Sequence, residues 1–320
     1  MSILVDNNTR VIVQGVTGGT ARADVERCLR SGTKIVAGVS PGRGGEAVHG
    51  VPVYDTVGAA LHDHPANTSA IYVPAPSVRD AVLEALDAGI KLLLVTAEYV
   101  PIHDVLYITA AARGSGARLI GCNTNGIISP GKSRIGGIGG TDPDEIYPPG
   151  NIGICSRSGG MSAEIALVLK ANGLGVSTCV SMGGDSVTGL RMADYAAMFE
   201  ADQDTQAIVV FGEPGTANEL MLAHDVAAGK ITKPVIALIV GTFQEQYPAG
   251  VSFGHAAAMI SAPEESASAK RVMLAKAGVH VCHALDDIPA AVRAALASRR
   301  AKENSSGQQG LQVVADSAAT

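Results

Sequence analysis

Arg10-Val11-Ile12-Val13-Gln14-Gly15-Val16-Thr17-Gly18-Gly19 is the stretch whose reading decides the fold. A β-rich run breaks at Gly15, small residues carry the turn, and a helical stretch from Arg22 to Arg30 follows, ending near Gly32. A strand, a glycine-rich turn and a helix in that order open a doubly wound α/β domain. Such a turn also lets a phosphate approach backbone N–H groups at the positive end of the helix. It lacks the full G-x-G-x-x-G dinucleotide fingerprint, so turn geometry alone explains it as well as a nucleotide-type ligand does.

Outward from this turn the alternation continues. Strands are expected at Lys34 to Val39, Val53-Tyr54, Ala70 to Val73, Lys91 to Thr96 and Arg118 to Gly121. Helices are expected at Thr56 to Asp63, Val78 to Ala88 and Ile102 to Ala112. This is the pattern of a parallel sheet with right-handed crossovers. Residues 127–150 are rich in glycine and proline with little periodicity, and read as a crossing between domains. A second series starts at Ile152 to Cys155 and runs through strands at Val176 to Ser181, Ala207 to Phe211, Pro234 to Val240 and Val279 to Cys282. Its helices are Ala163 to Ala171, Met192 to Glu200, Asn218 to Ala228, Ala267 to Ala277 and Ile288 to Arg300. The expected limits are 1–126 and 151–300 for the two domains, with a flexible tail over 301–320.

Composition agrees with this class and narrows the function. The 320 residues include 38 glycines, no tryptophan and only 3% aromatics, so the core rests on Ala, Val, Ile and Leu. A net charge of −6 leaves no basic footprint for nucleic acid. The five cysteines form no close Cys-x-x-Cys pair and read as reduced core residues of a cytoplasmic protein. The apolar runs are strand-sized, which argues against a membrane span.

Two stretches carry chemistry. Ser156-Arg157-Ser158-Gly159-Gly160 follows a strand and opens a helix, a setting in which hydroxyls and N–H groups hold phosphoryl oxygens. It is not Gly-x-Ser-x-Gly, and an ordinary helix cap is the plainer alternative. Phe253-Gly254-His255-Ala256-Ala257-Ala258 places one histidine among small neighbours that leave room for a phosphorylated imidazole. Glu213, after the strand 207–211, and Glu164, in the helix behind the serines, are both candidates to hold the ring proton. Arg43, in Pro41-Gly42-Arg43-Gly44-Gly45, adds a cation near the first turn, and Tyr72-Val73-Pro74-Ala75-Pro76 ends a strand at the same edge. Asp185 in Gly183-Gly184-Asp185 either shapes a phosphate loop or faces water. His62 and His64 are spaced like a metal pair but have no third ligand nearby, so no metal site is assigned.

In their order along the chain these segments resemble the α subunit of succinyl-CoA synthetase, within the nucleotide-forming acyl-CoA synthetases. The resemblance rests on Gln14 to Gly18, Gly38 to Gly45, Tyr72 to Pro76, Ser156 to Gly159, Gly183 to Asp185, Gly212-Glu213 and Gly254 to Ala256. It implies a Rossmann-like CoA-binding domain followed by a flavodoxin-like ligase domain. Thr17, Gly18, Gly19, Ser40, Arg43, Tyr72, Val73, Pro74 and Glu98 would line the CoA site. His255 would be phosphorylated, Glu213 would orient it, and Ser156, Ser158, Gly159 and Gly160 would form the phosphate-binding helix terminus. ATP or GTP with Mg²⁺ would come mainly through a nucleotide-grasping β subunit, in an αβ or α₂β₂ complex. Succinate is the default acid.

This chain departs from the family at Asn123-Thr124-Asn125-Gly126, where Asn-Cys-Pro-Gly is usual, and at Tyr99, which adds a ring beside Glu98. Arg43 stands where lysine is usual. Ser158 to Ser162 and Val251 to His255 look closer to ATP-citrate lyase and citryl-CoA synthetase. A citrate- or malate-type CoA ligase subunit is therefore the alternative, and a CoA-binding module without turnover is another.

Overall fold

The computed structural model describes residues 2–255, 257–299 and 301. The first sheet is built from β1 (Arg10–Gln14), β2 (Lys34–Val39), β3 (Ala47–Val48), β4 (Val51–Tyr54), β5 (Thr68–Ile71), β6 (Leu92–Val95) and β7 (Arg118–Ile120). Four helices alternate with them: α1 (Gly19–Arg30), α2 (Val57–Asp63), α3 (Val78–Asp87) and α4 (Ile102–Gly114). The strand order is β3-β4-β2-β1-β5-β6-β7, parallel except for the short β3 edge. β5 and β6 are buried at every position, because helices cover both faces of the sheet. The winding reverses between β1 and β5, and ligands of open α/β sheets bind in the crevice at such a point. The sheet strand stops at Ile71, so Tyr72 and Val73, expected within it, leave towards that crevice.

The second sheet comprises β8 (Gly126–Ser129), β9 (Ser133–Gly136), β10 (Pro149–Ser156), β11 (Val176–Ser181), β12 (Ala207–Gly212), β13 (Val235–Ile239) and β14 (His280–Cys282). Its helices are α5 (Gly159–Ala171), α6 (Met192–Ala201), α7 (Asn218–Ala227) and α8 (Ala267–Lys276), and residues 288–299 are also helical. The order is β14-β13-β12-β10-β11-β8-β9. Its parallel part follows the flavodoxin order, with the reversal between β10 and β12. The tail expected over 301–320 lies, apart from residue 301, outside the described residues.

Much of the expected crossing at 127–150 is regular structure. β8 and β9 form a hairpin that extends the second sheet antiparallel to β11. Gly126 and Gly136 pair across it at positive φ, and a Cβ on Gly136 would lie 2.5 Å from the Asn125 carbonyl oxygen. These glycines mark close backbone approach, whereas in sequence they read as loop.

One apolar cluster joins the two units. It includes Val11, Val13 and Ala70 of the first sheet together with Ile127, Ile135 and Val180 of the second. The Thr33 hydroxyl donates to the Arg134 carbonyl at 2.7 Å and accepts from the Arg134 N–H at 3.1 Å. The N–H groups of Gly189 and Leu190 donate to the carbonyls of Gly121 and Leu119 at 2.7 and 2.8 Å. All five cysteines are unpaired and buried. No described helix is long and apolar enough to cross a membrane.

Candidate functional site

The C-terminal ends of β10 and β12 bring Arg157 and Glu213 together at the reversal point of the second sheet. Above them, His255 Nδ1 lies 2.8 and 3.0 Å from the two carboxylate oxygens of Glu213. A carboxylate accepts, so Nδ1 carries the proton and Nε2 is left with its lone pair. Arg157 Nε donates to Glu213 Oε1 at 3.0 Å, and its side chain is fully buried. The remaining guanidinium nitrogens donate to Thr216 Oγ1 at 3.2 Å and to the carbonyls of Gly184 and Asp185 at 3.2 and 3.4 Å. From below, the buried Lys270 donates to the Glu213 carbonyl at 2.8 Å and to the Glu219 carboxylate.

Burial pushes the Glu213 carboxyl up, but the His255 hydrogen bond and the Arg157 charge outweigh it and hold the group below the usual range. His255 is shifted the other way: its bond to Glu213 raises it, against the opposing effect of burial and of Arg157. The imidazole remains 32% exposed while Glu213 is 11% exposed, so the ring is anchored at one nitrogen and open at its edge. Gly184 is its floor. A Cβ there would lie 2.6 Å from Cδ2 and 3.1 Å from Nε2.

Ser158 caps α5, its hydroxyl accepting from the Met161 N–H at 3.4 Å. Ser156 is sealed in the turn: its hydroxyl donates to the Ser158 carbonyl at 2.6 Å and accepts from the Ser158 N–H at 3.1 Å. The capping role expected as the plainer alternative is present here. Ser156 and Ser158 shape the turn, while Gly159 and Gly160 begin a helix with no acidic residue in its first turn. Glu164, the other carboxylate considered for His255, is exposed on α5, and the ring is held by Glu213.

The first crevice is also built around a glycine turn. Gly15 has φ +79°, and a Cβ there would lie 3.1 Å from the Tyr72 carbonyl carbon and from the Val73 N, so only glycine lets the two chain exits touch. The hydroxyls of Thr17 and Ser40 meet at 3.1 Å, and Gly18 is the N-cap before Gly19 begins α1, again without an acidic residue in the first turn. The Tyr72 hydroxyl donates to Asp24 at 3.1 Å, while Val73 is half-buried and Pro74 is exposed. Arg43 is half exposed and paired with Glu46, its nitrogen 2.9 Å from Oε2. These residues fit a phosphate-bearing ligand: two hydroxyls, a helix N-terminus and a cation reach one sheet edge.

Asn123 and Asp185 bridge the two crevices. The Asn123 N–H donates to the Ala97 carbonyl at 2.9 Å, and its side chain donates to Asp185 Oδ1 at 3.0 Å. Burial pushes the Asp185 carboxyl up; Glu98, exposed after β6, adds to this, while the Asn123 hydrogen bond, Arg157 and His255 oppose it. Glu98 and His255 thus act on one carboxyl in opposite directions. Among the described residues no group of three or more His, Cys, Asp or Glu side chains converges as a metal site.

Arg157 and Gly184 were not singled out in the sequence. The signal for Arg157 was its place directly after a fully buried strand end, where a charged side chain needs a buried partner. Gly184 gave none, since only the folded chain shows what its missing side chain admits.

Residues 6–99 match the CoA binding domain family, and residues 149–295 match the succinyl-CoA ligase like flavodoxin domain family. A succinate–CoA ligase [ADP-forming] subunit alpha of Archaeoglobus fulgidus is 44% identical over 88% of this chain and 95% of its own length. A subunit of the ADP-forming sulfoacetate-CoA ligase of Bilophila wadsworthia is 38% identical over 92% of this chain and the whole of its own. The solved ATP citrate lyase of Methanothrix soehngenii, in complex with citrate and coenzyme A, superposes with a TM-score of 0.86 at 30% identity. That match covers 94% of this chain and 52% of the lyase chain, so this chain spans about half the length of that structure.

Proposed function

The chain belongs to the succinate–CoA ligase α-subunit family and is the α subunit of an ADP-forming acid–CoA ligase that acts with a β subunit; within that activity we propose that His255 carries the phosphoryl group from nucleotide to acid, and that the acid is a small di- or tricarboxylate with succinate as first choice. The observation that carries this reading is the bond of His255 Nδ1 to both oxygens of Glu213, 2.8 and 3.0 Å away. It leaves Nε2 as the nucleophile and stabilises the cationic ring that phosphorylation creates.

Nε2 attacks the terminal phosphorus of the nucleotide, and the bond from that phosphorus to the diphosphate breaks. Glu213 holds the ring, with Arg157 fixing Glu213 from behind. The first-turn N–H groups at Gly159 and Gly160 receive the phosphoryl oxygens, in a turn shaped by Ser156 and Ser158. A substrate carboxylate then takes the phosphoryl group and gives an acyl phosphate. The CoA thiolate displaces phosphate from it. CoA binds at the first crevice, its phosphates near Thr17, Gly18, Gly19, Ser40 and Arg43. Its arm runs past Tyr72, Val73 and Pro74 towards Glu98. The β subunit binds ATP and its Mg²⁺, in an αβ or α₂β₂ assembly. GTP is the second donor to try, since the relatives' names specify ADP formation.

The test is co-purification with the partner subunit, incubation with ATP, and intact-mass measurement of this chain. A single added phosphate, absent in His255→Asn, is expected. A phosphate that survives that substitution removes the proposed nucleophile. A screen of succinate, sulfoacetate, malate and citrate then identifies the acid. The sulfoacetate relative and Asn125, packed against Gly159 at the start of α5, are the reasons to look beyond succinate.

A further inference from the structure

The Gly183-Gly184-Asp185 turn enters the proposed reaction only through Gly184, which seats the ring. The carboxyl that follows is placed with care. Asp185 is 9% exposed. Its backbone is fixed by Arg157, which donates to its carbonyl at 3.4 Å, and its Oδ1 by Asn123 at 3.0 Å. No hydrogen bond reaches Oδ2 among the described residues, and Oδ2 is not among the sealed polar atoms that lack a partner, so it opens to solvent. Four titratable or charged groups act electrostatically on this carboxyl: Glu98 in the turn after β6, Arg157 after β10, His255, and the buried Cys122 thiol.

Resting on the reaction proposed above, the geometry points to Asp185 as the base that takes the proton of the CoA thiol when the thioester forms. Asn123 ties it to the crevice assigned to the thiol, its side chain hydrogen-bonded to Asp185 Oδ1 and its N–H to the carbonyl of Ala97 beside Glu98, while the preceding Gly184 is the floor beneath the His255 ring. In the step, the S–H bond breaks and its proton passes to Oδ2 of Asp185. The sulfur electron pair forms the bond to the acyl carbon, the bond from that carbon to the phosphate oxygen breaks, and inorganic phosphate leaves. The proton on Asp185 is then released to solvent. Burial and Glu98 both favour the protonated carboxyl, so this aspartate is a better acceptor than an exposed one.

The experiment uses the complex of this chain with its partner subunit. Phosphorylation of His255 by ATP is followed by intact mass without acid or CoA. Thioester formation is followed by rapid quench from pH 6 to 9. Asp185→Asn is expected to keep His255 phosphorylation, with its pH midpoint moved down because a negative charge that favours the cationic ring is gone, yet to form thioester roughly 100-fold more slowly at neutral pH. Its thioester rate rises about tenfold per pH unit towards the pKa of the thiol, because the missing base is replaced by free thiolate. The wild-type rate instead reaches a plateau. A loss of equal size at every pH, or an unchanged thioester rate, overturns the assignment and indicates that Asp185 only braces Asn123. Asp185→Glu keeps a carboxylate and carries the test if the Asn variant does not assemble: its plateau is expected to remain, and a thiolate-dependent profile there overturns the assignment. Failure of the wild-type chain to become phosphorylated, by contrast, removes the underlying reading.

Discussion

At Gly184 an added Cβ would fall 2.6 Å from Cδ2 and 2.7 Å from Cγ of His255. The ring would have to leave either Glu213 or its position in the crevice. Gly184→Ala is therefore expected to cut the rate of His255 phosphorylation at least about tenfold while the melting temperature stays close to wild type, because the ring can swing outward into solvent. Phosphorylation at the wild-type rate in that variant would mean that the ring does not react from this pose. The same pair sets a pH dependence. His255 is raised above its ordinary value of 6.5, so its contribution to stability is complete below 6.5 and is lost as pH climbs through the raised value. Glu213 is lowered from 4.5, so its contribution is present above 4.5 and is lost as pH falls through the lowered value. Stability from the pair is greatest between these limits, whereas the proposed nucleophile is the neutral ring. Phosphorylation should rise with pH through the elevated His255 pKa. Glu213→Gln should move that midpoint down, which a pH titration of the phosphorylation rate measures. Arg157 was hidden in the sequence by its position in a polar serine-glycine turn, where arginines are usually solvated; only the buried carboxylate opposite gives it a reason to be inside. Its removal leaves Glu213 short of a charge partner, and Arg157→Gln should cost about 3–5 kcal/mol in urea unfolding.

At the scale of elements, the α/β alternation was legible because fully buried parallel strands appear as apolar runs between helical segments, as β6 and β12 do. The hairpin β8–β9 was not, because its glycines serve packing and break the alternation by which strands are recognised. Helix α1 begins at Gly19, earlier than the Arg22 suggested by residue preference, since Gly18 takes an extended N-cap conformation and leaves the small residues in the first turn. That first turn is where anion binding needs space, and the same logic separates the two glycines that open α5. A Cβ on Gly159 would lie 2.6 Å from the Asn125 Cβ, whereas on Gly160 its nearest neighbour is the Ser158 hydroxyl at 3.9 Å. Gly160→Ala should raise stability by up to about 1 kcal/mol through helix propensity. Gly159→Ala should lower it by about 1–3 kcal/mol through overpacking. Thermal denaturation of the two variants gives opposite signs if this start of α5 is correctly described.

At the scale of the whole molecule, the candidate site depends on two sheets being held in one relation, and the chain achieves this without a large interdomain loop. The apolar cluster crosses from β1 to β8 and β9, and residues 189–190 hydrogen-bond to the β7 region of the other unit. The consequence is that Glu98 and His255, which belong to different halves of the sequence, act on the same Asp185 carboxyl. The two crevices are legible separately in the residues; the Asn123–Asp185 bond that links them comes from packing between sheets, which has no local signature. A rigid joint of this kind predicts one cooperative thermal transition, in which the calorimetric and van't Hoff enthalpies agree. Thr33 is the place to probe it, because its hydroxyl both donates to and accepts from the Arg134 backbone across the joint. Thr33→Val keeps the shape and leaves the buried Arg134 N–H and carbonyl unpaired, at a cost of about 2–4 kcal/mol. Because the apolar cluster persists, that variant should melt earlier but still in a single step. Two resolved transitions would mean instead that the halves fold independently, and that the approach of the proposed thiol crevice to His255 is set by the partner subunit rather than by this chain.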